Sequence, residues 1–168
     1  MKHRKKRYNR NKIINNNTRK IFIKHIREPI LEKYVYNSCV FSSFVFLTNS
    51  LVAYRAAYYT YSLLFFILFI TSIIYHNTYN TYTFIIDKIS VISIVFYGGF
   101  LFFRKCQNTC HQIYPTIVLF AFLYTVFLYY YGYMHDSYCF CKDKTTSDAY
   151  HSLMHIITSI GHHCIILM

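Results

Sequence analysis

The distribution of charge along the 168-residue chain is the feature that most limits how it can fold. Twelve of the 18 Lys and Arg residues lie at or before Lys33, and six are spread over the remainder. The remainder consists of long runs that are rich in Ile, Leu, Phe and Tyr and nearly free of charge. A helix needs about 20 mostly apolar residues to cross a bilayer core, and several runs reach that length. This pattern argues against a soluble globular domain and against a disordered chain.

Five such runs predict an all-α fold, a polytopic bundle of about five transmembrane helices. The predicted spans lie near residues 34–54, 56–76, 83–103, 113–134 and 149–168. The first run is a weak span because it contains Asn and Ser, and the last is polar because it contains four histidines. We therefore divide the chain into a basic tail, residues 1–33, and a transmembrane helical domain, residues 34–168.

Basic residues outside the runs predict how the helices are oriented. The tail, Lys142 and Lys144 fall on one side of the membrane, and Arg55, Arg104 and Lys105 fall on the other. The positive-inside rule then predicts an integral, multi-pass membrane protein with a cytosolic N-terminus. The tail is either an interfacial amphipathic helix on anionic lipid or a solvated segment that sets the topology. Because topology accounts for the charge, no nucleic-acid partner is expected.

Four ionisable residues lie inside or at the ends of the predicted spans, where such groups are costly and are functional candidates by default. They are His76, Asp87, His151 and His155. In an alternating topology, the end of the second helix and the starts of the third and fifth helices reach the same membrane face. Each residue alone has an ordinary structural explanation, but their convergence at one depth predicts a site.

The residue types suit a catalytic metal site. His151 and His155 are four positions apart and share a helix face, and His76 would be a third ligand of one zinc ion. A fourth, open position is typical of catalytic zinc, which activates water. Ser72 lies one turn from His76 and is a candidate donor to an oxyanion, while Asp87 is a candidate base. Alternatively, Ser72 bonds to a carbonyl one turn back, and Asp87 pairs with the lysine that follows it.

These residues resemble the signature of a known family. Ser72-Ile-Ile-Tyr-His76, ten further residues, Asp87 and the later His151-Ser-Leu-Met-His155 resemble the CREST superfamily of membrane hydrolases. That superfamily includes the alkaline ceramidases, the progestin and adiponectin receptors and a GPI-attachment phospholipase. The Ser-x-x-x-His pattern and the following Asp are most similar to the alkaline ceramidases. The segment DAYHSLMHIITSIG resembles the last helix of both the ceramidases and the phospholipase branch.

The resemblance implies a zinc-dependent lipid amidase or lipase. In that case His76, His151 and His155 bind Zn²⁺, and Ser72 and Asp87 assist the water that attacks the acyl carbon. The substrate would be ceramide or another acyl lipid, and the products a fatty acid with a sphingoid base or a lysolipid. The family has seven helices, so this chain is a shortened form that lacks two of the helices between the third and the last. The acidic, Trp-containing calcium motif of the ceramidases is also absent, so calcium regulation is not expected.

Three alternatives stay open at this point. One is a non-catalytic receptor-like or structural member of the same family, and another is a small membrane-shaping or channel protein without a metal site. The third is a cysteine-based metal site made from Cys106, Cys110 and His111 with Cys139 and Cys141. These two groups lie at opposite ends of the predicted fourth helix, roughly 30 Å apart, and cannot share one ion if that helix spans the bilayer.

Overall fold

The structure, a computed structural model, describes residues 38–107 and 112–168, and every regular element within these ranges is helical. Five long helices are α1, Ser38–Arg55; α2, Tyr59–Thr78; α3, Thr81–Cys106; α4, Ile113–Val126; and α5, Lys144–Leu167. After α4 the chain continues through a π-helical turn, Phe127–Tyr131, an α-helical turn, Gly132–Met134, and a 3₁₀ turn, Tyr138–Phe140. The all-α prediction is confirmed for these residues. The predicted basic tail and the first four residues of the first predicted span lie outside them.

Three stretches of the bundle are long and apolar enough to cross a membrane: Tyr59–Thr78, Thr81–Cys106 and Ile113–Phe140. The surface of the bundle also carries large apolar side chains, such as Phe96 and Phe120, which are exposed to 76% and 70%. In water such a surface would be an aggregation hazard, whereas lipid tails solvate it well. These features support the prediction of a membrane protein. Membrane crossings by α1 and α5 stay predictions.

Capping residues set where two helices begin, and both helices begin earlier than predicted. The predicted fifth span starts at residue 149, whereas α5 begins at Lys144 because Asp143 caps it. The carboxylate of Asp143 accepts hydrogen bonds from the amide and hydroxyl of Thr146, which hold the pKa of this carboxyl group below its ordinary value. Similarly, α3 begins at Thr81, two residues earlier than predicted, behind the cap Asn80. A scan for apolar runs does not detect such caps, because they are polar.

The first and last described helices run parallel to each other, and α2 runs antiparallel to both. Ser42 of α1 contacts His155 of α5, and further along both helices Asn49 contacts Ser159. Near the end of α3, Lys105 donates to two carbonyls in the last turn of α5, so α3 is parallel to α5 as well. The N-termini of α1, α3 and α5 and the C-terminus of α2 therefore share one end of the bundle. We call this the proximal end and the opposite one the distal end.

Helices α3 and α4 are consecutive in the chain but are not packed along each other. Helix α3 packs mainly against α2, and α4 packs against α5. Near the proximal end the Lys88 ammonium of α3 lies 5.8 Å from the centre of the Tyr129 ring, which belongs to the π-helical turn. Along most of their length, the described parts of α3 and α4 are therefore held together through α2 and α5 and not by direct packing.

Candidate metal centre

Three histidines from two helices meet at the proximal end of the bundle, and we call them the histidine cluster: His76, His151 and His155. Each offers one ring nitrogen, and these nitrogens lie within 4.8 Å of one another. The ring centre of His76 lies 5.0 Å from that of His151 and 5.4 Å from that of His155. The two rings of α5 are 4.9 Å apart. The residues that the sequence predicts to be metal ligands are thus brought together.

The spacing of these rings suits a tetrahedral metal ion. When imidazole nitrogens bind zinc at about 2.0–2.1 Å with tetrahedral angles, their ring centres are separated by roughly 5 Å. The ring planes are inclined to one another by 73°, 58° and 79°, so the rings do not stack on one another. The three residues fit a divalent ion such as zinc, and their number leaves the fourth tetrahedral position open.

Local sequence signals place these three side chains at the proximal end. The cap at Asp143 starts α5 two turns before His151, and helical periodicity then stacks His155 above it. Helix α2 ends at Thr78, because Tyr79 adopts a left-handed conformation with φ 48° and closes the last turn. His76 is therefore in the final turn of α2, level with the first turns of α5.

A hydroxyl group of α1 orients one of the three rings. The hydroxyl of Ser42 lies 2.8 Å from Nδ1 of His155 and donates to the carbonyl of Cys39 at 3.1 Å. Since a hydroxyl has one proton, Ser42 accepts its second hydrogen bond from Nδ1–H of His155. That tautomer leaves Nε2 of His155 deprotonated and able to bind a metal. Fixing the tautomer of a histidine ligand is the usual role of a residue that hydrogen-bonds to its other ring nitrogen.

Ser42 has no role among the predictions made from the sequence, where its polarity only weakens the first predicted span. A signal was present in the spacing of the small and polar residues of α1. The buried residues of this helix recur every three or four positions: Cys39, Ser42, Ser43, Phe46, Asn49, Ser50 and Ala53. In a membrane helix, a face of small and polar residues indicates close packing against other helices.

Ser72 is buried one turn from His76, and its hydroxyl is hydrogen-bonded to α1. The Ser72 and Ser43 oxygens are 2.8 Å apart, and Ser43 donates its own proton to the carbonyl of Cys39 at 2.7 Å. Ser72 is consequently the donor to Ser43. Among the described residues, Ser72 therefore bonds to Ser43 and not to the carbonyl one turn back in its own helix, which was the alternative predicted from the sequence. Before it could donate to an oxyanion, Ser72 would have to exchange this bond.

Asp87 is 3% exposed and lies on the buried face of α3. Its Oδ2 is 3.8 Å from the ammonium of Lys88, so the predicted alternative of a pair with the next lysine is present as a long ion pair. Its Oδ1 has no hydrogen-bond partner among the described residues. Buried carboxylate oxygens rarely lack a partner, so Oδ1 is able to accept a proton or a hydrogen bond from a small molecule. Within the same residues, no hydrogen bond joins Asp87 to the histidine cluster.

The described cysteines do not form a metal site. Cys106 and Cys139 are free thiols, and Cys139 is buried with its Sγ 3.4 Å from Sδ of Met154. Cys110 and His111, the other members of the first predicted cysteine group, lie outside the described residues. Within the described part of the chain, the histidine cluster is the group of metal-ligand type that converges.

In comparisons with known proteins, no protein-family model, no curated protein and no solved structure matches this chain.

Proposed function

We propose that the chain is an integral membrane zinc hydrolase that cleaves the acyl bond of a membrane lipid, either a ceramide-like amide or an ester. The observation that carries this proposal is the convergence of His76, His151 and His155, with ring centres about 5 Å apart. The resemblance of the motif residues to the CREST superfamily supports the same reaction.

In this proposal each residue of the site has one task. The three imidazoles would hold Zn²⁺, which when bound would supply activation of a water molecule and polarisation of a carbonyl group. Ser42 fixes the tautomer and direction of His155. Asp87 accepts a proton at Oδ1 and passes it to the leaving group, and Ser72 donates to the developing oxyanion after leaving Ser43.

The proposed enzyme crosses the membrane five times, with the N-terminus in the cytosol. Helices α1 and α5 are the two additional crossings, and their polar faces turn inward onto each other. The histidine cluster then lies near the cytosolic boundary of the bilayer, where ester and amide groups of lipids are found. Because α3 and α4 are not packed along each other, we propose that an acyl chain enters between them from the membrane. The basic tail, residues 1–33, is proposed to bind anionic lipid.

Metal analysis of the full-length protein purified in detergent tests the first half of the proposal. We expect one zinc ion per chain in the wild type, loss of the ion in His151→Ala, and retention in His135→Ala. His135 is the matched control because it is exposed and lies outside the histidine cluster. Absence of bound metal after zinc loading, or equal metal content in both variants, would refute the site.

Turnover tests the second half. The zinc-loaded protein is expected to release fatty acid from at least one member of a panel of ceramides, phospholipids and lysophospholipids, and His151→Ala is not. Asp87→Asn should then lower kcat by roughly 10²–10⁴-fold with zinc still bound, as removal of a general base does. Ser72→Ala should lower it by roughly 10²–10³-fold, as loss of an oxyanion donor does. Zinc-loaded protein without turnover on the whole panel would remove the hydrolase from consideration.

A second candidate is a non-catalytic zinc protein, receptor-like or structural. It is favoured by one specific observation, the hydrogen bond from Ser72 to Ser43, which ties the proposed oxyanion donor to α1. This candidate predicts that Ser72→Ala destabilises the bundle, and that zinc-loaded protein is inactive. The hydrolase predicts that the same variant keeps most of its stability and loses turnover.

A further inference from the structure

Lys88 differs from the other lysines of the described helices in the contacts of its ammonium group. At the distal end, the Lys105 ammonium donates to two carbonyls of α5 at 2.9 and 2.8 Å. At the proximal end, the Lys144 ammonium donates to Asp148 at 2.6 Å and to the Tyr79 hydroxyl at 3.1 Å. Among the described residues, no atom accepts a hydrogen bond from the Lys88 ammonium, although an ammonium group has three N–H donors.

One carboxylate and two aromatic rings surround the Lys88 ammonium. Oδ2 of Asp87 is 3.8 Å away, the ring centre of Phe84 is 5.3 Å away, and that of Tyr129 is 5.8 Å away. The faces of the rings attract a cation but do not replace oxygen acceptors. The Lys88 side chain is 26% exposed, so water reaches only part of it. Its N–H donors are therefore available to a ligand that offers oxygen atoms.

The position of Lys88 along α3 places its ammonium near the membrane boundary at the proximal end. Lys88 comes seven residues after the start of α3 at Thr81, so its Cα lies about 10 Å along the helix. The 26 residues of α3 span about 39 Å, roughly 9 Å more than the hydrocarbon core. Helical side chains point toward the N-terminus, and the lysine stem extends several ångströms in that direction. If α3 crosses the membrane symmetrically, the ammonium therefore lies at the level where lipid head groups begin.

Lys88 also lies beside the proposed entry route of the acyl chain. Along most of their length α3 and α4 are not packed together, but at the proximal end Lys88 contacts the ring of Tyr129 in the π-helical turn that follows α4. A lipid with its acyl chain between α3 and α4 would therefore have its head group close to Lys88.

Aromatic contacts connect Lys88 to the histidine cluster. The Phe84 ring, which lies under the Lys88 ammonium, has its centre 5.5 Å from that of Tyr75. The centre of the Tyr75 ring is in turn 4.9 Å from that of His76. Two rings thus separate the ammonium from the nearest helix neighbour of the proposed metal ligands, and both sites are at the proximal end.

We propose that Lys88 binds the phosphate group of a lipid, and that the substrate is a phospholipid whose phosphate is attached to the carbon next to the acylated one. Phosphate oxygens accept strong, charge-assisted hydrogen bonds from an ammonium group. Phosphorylated ceramides and the middle ester of glycerophospholipids share this arrangement, so one lysine serves an amide or an ester. The identification of the lipid as the substrate rests on the proposed function, whereas binding of the phosphate does not.

Binding of lipids that resist hydrolysis tests the phosphate site. The full-length protein in detergent is titrated with phosphatidic acid and with diacylglycerol analogues that carry the same chains through ether bonds. The wild type should bind the phosphorylated analogue at least about tenfold more tightly, as a charge-assisted hydrogen bond provides. Lys88→Gln should lose most of this preference. Lys142→Gln is the matched control and should keep it, because Lys142 is exposed and precedes the proximal start of α5.

The ratio of the two affinities separates a phosphate site from a structural role. A Lys88 that is only hydrated, or that only balances the charge of Asp87, predicts that Lys88→Gln changes both affinities equally. Lys88→Arg keeps the charge and the donors and should keep the preference within about threefold. If Lys88→Gln does not fold, Lys88→Met takes its place with the same expectation. A preference that is absent in the wild type, unchanged in these neutral variants, or lost equally in Lys142→Gln would overturn the site.

Turnover tests the substrate. Zinc-loaded protein is given two matched pairs, ceramide with ceramide 1-phosphate and diacylglycerol with phosphatidic acid, so that the amide and the ester are distinguished. In at least one pair the phosphorylated lipid should have a kcat/KM at least about tenfold higher, and Lys88→Gln should remove this advantage mainly through KM. Equal or faster cleavage of the unphosphorylated lipids would overturn the inference about the substrate. A phosphate preference in binding without any turnover would instead refute the hydrolase and support the phosphate site.

Discussion

The histidine cluster differs from the distal polar cluster, which consists of Asn49, Tyr61, Ser159, His162 and His163. In the distal polar cluster each donor meets an acceptor of another kind: an amide meets a hydroxyl and a carbonyl, and a phenol meets an imidazole. In the histidine cluster three side chains of one kind converge, and each offers a ring nitrogen within 4.8 Å of the other two. The first arrangement satisfies its polar groups internally, and the second is suited to a cation between them.

Histidines of one helix are therefore not equivalent candidates for metal binding. Four histidines lie along α5, and their positions in the sequence do not distinguish them. What distinguishes them is the chemistry of the residues opposite them on α1 and α2.

The largest effect should come from removing a ligand. Loss of a residue that hydrogen-bonds to a metal ligand typically weakens metal binding by roughly 10–100-fold. His76→Ala removes a ligand itself, so it should weaken zinc binding by more than that. His162→Asn, at the distal polar cluster, should leave zinc binding unchanged. Zinc affinity is measured by competition with a chelator of known affinity. Equal losses in both variants would show that the two clusters are one functional unit.

Removing the Ser42 hydroxyl, which is hydrogen-bonded to His155, should have the next largest effect on zinc binding. Ser42→Ala should weaken zinc binding by about 10–100-fold, because the ring then loses the bond that fixes its tautomer. Ser50→Ala is the matched control, since Ser50 is a buried serine on the same face of α1 that bonds to Ser62 instead. If Ser42→Ala binds zinc as tightly as the control does, the Ser42 bond has no part in the metal centre.

The two adjacent glycines of α3 provide a test of the distal packing. Gly98→Ala should lower the free energy of unfolding by about 1–3 kcal/mol, because its methyl group would overlap the Tyr61 hydroxyl. Gly99→Ala meets no atom within 4 Å and should be neutral or gain up to about 1 kcal/mol through helix propensity. Unfolding in a detergent and SDS titration, followed by circular dichroism, measures both. A stable Gly98→Ala would contradict the close approach of α3 to Tyr61.

The smallest effect should come from the contact of Asn49 with Ser159 between α1 and α5. Asn49→Ala removes two hydrogen bonds and should cost about 0.6–1.7 kcal/mol of unfolding free energy for each, as interhelical hydrogen bonds in a membrane do. Its zinc affinity should match the wild type, because Asn49 lies outside the histidine cluster. A loss of zinc together with stability would mean that the distal polar cluster supports the metal centre through the α1–α5 contact.

Much of the architecture could be predicted because apolar runs and alternating topology need no knowledge of packing. The five runs correspond to the five long helices, and the shared depth of His76, Asp87 and the two histidines of α5 followed from counting helices. The convergence of three imidazoles was likewise predictable from the spacing of His151 and His155 and from that parity. These are properties of single helices and of their order.

The remaining features depend on which helices become neighbours. The spacing and hydropathy of a single sequence do not predict that. The pairing of Ser42 with His155 and of Ser72 with Ser43 requires α1 to lie between α2 and α5. The absence of direct packing between the described parts of α3 and α4 has the same origin. The starts of α3 and α5, behind the caps Asn80 and Asp143, were missed for a different reason. Capping residues are polar, so a hydropathy scan places them outside the span.

The parallel contact between α1 and α5 also bears on how the protein is made. A ribosome completes α1 more than 80 residues before it reaches α5, yet Asn49 has its partner at Ser159, 110 positions later. In the order of synthesis, the contacts of Ser43 and Ser50 with α2 can therefore form before α5 exists. The contact of α1 with α5, and with it the convergence of the histidine cluster, can form only after them.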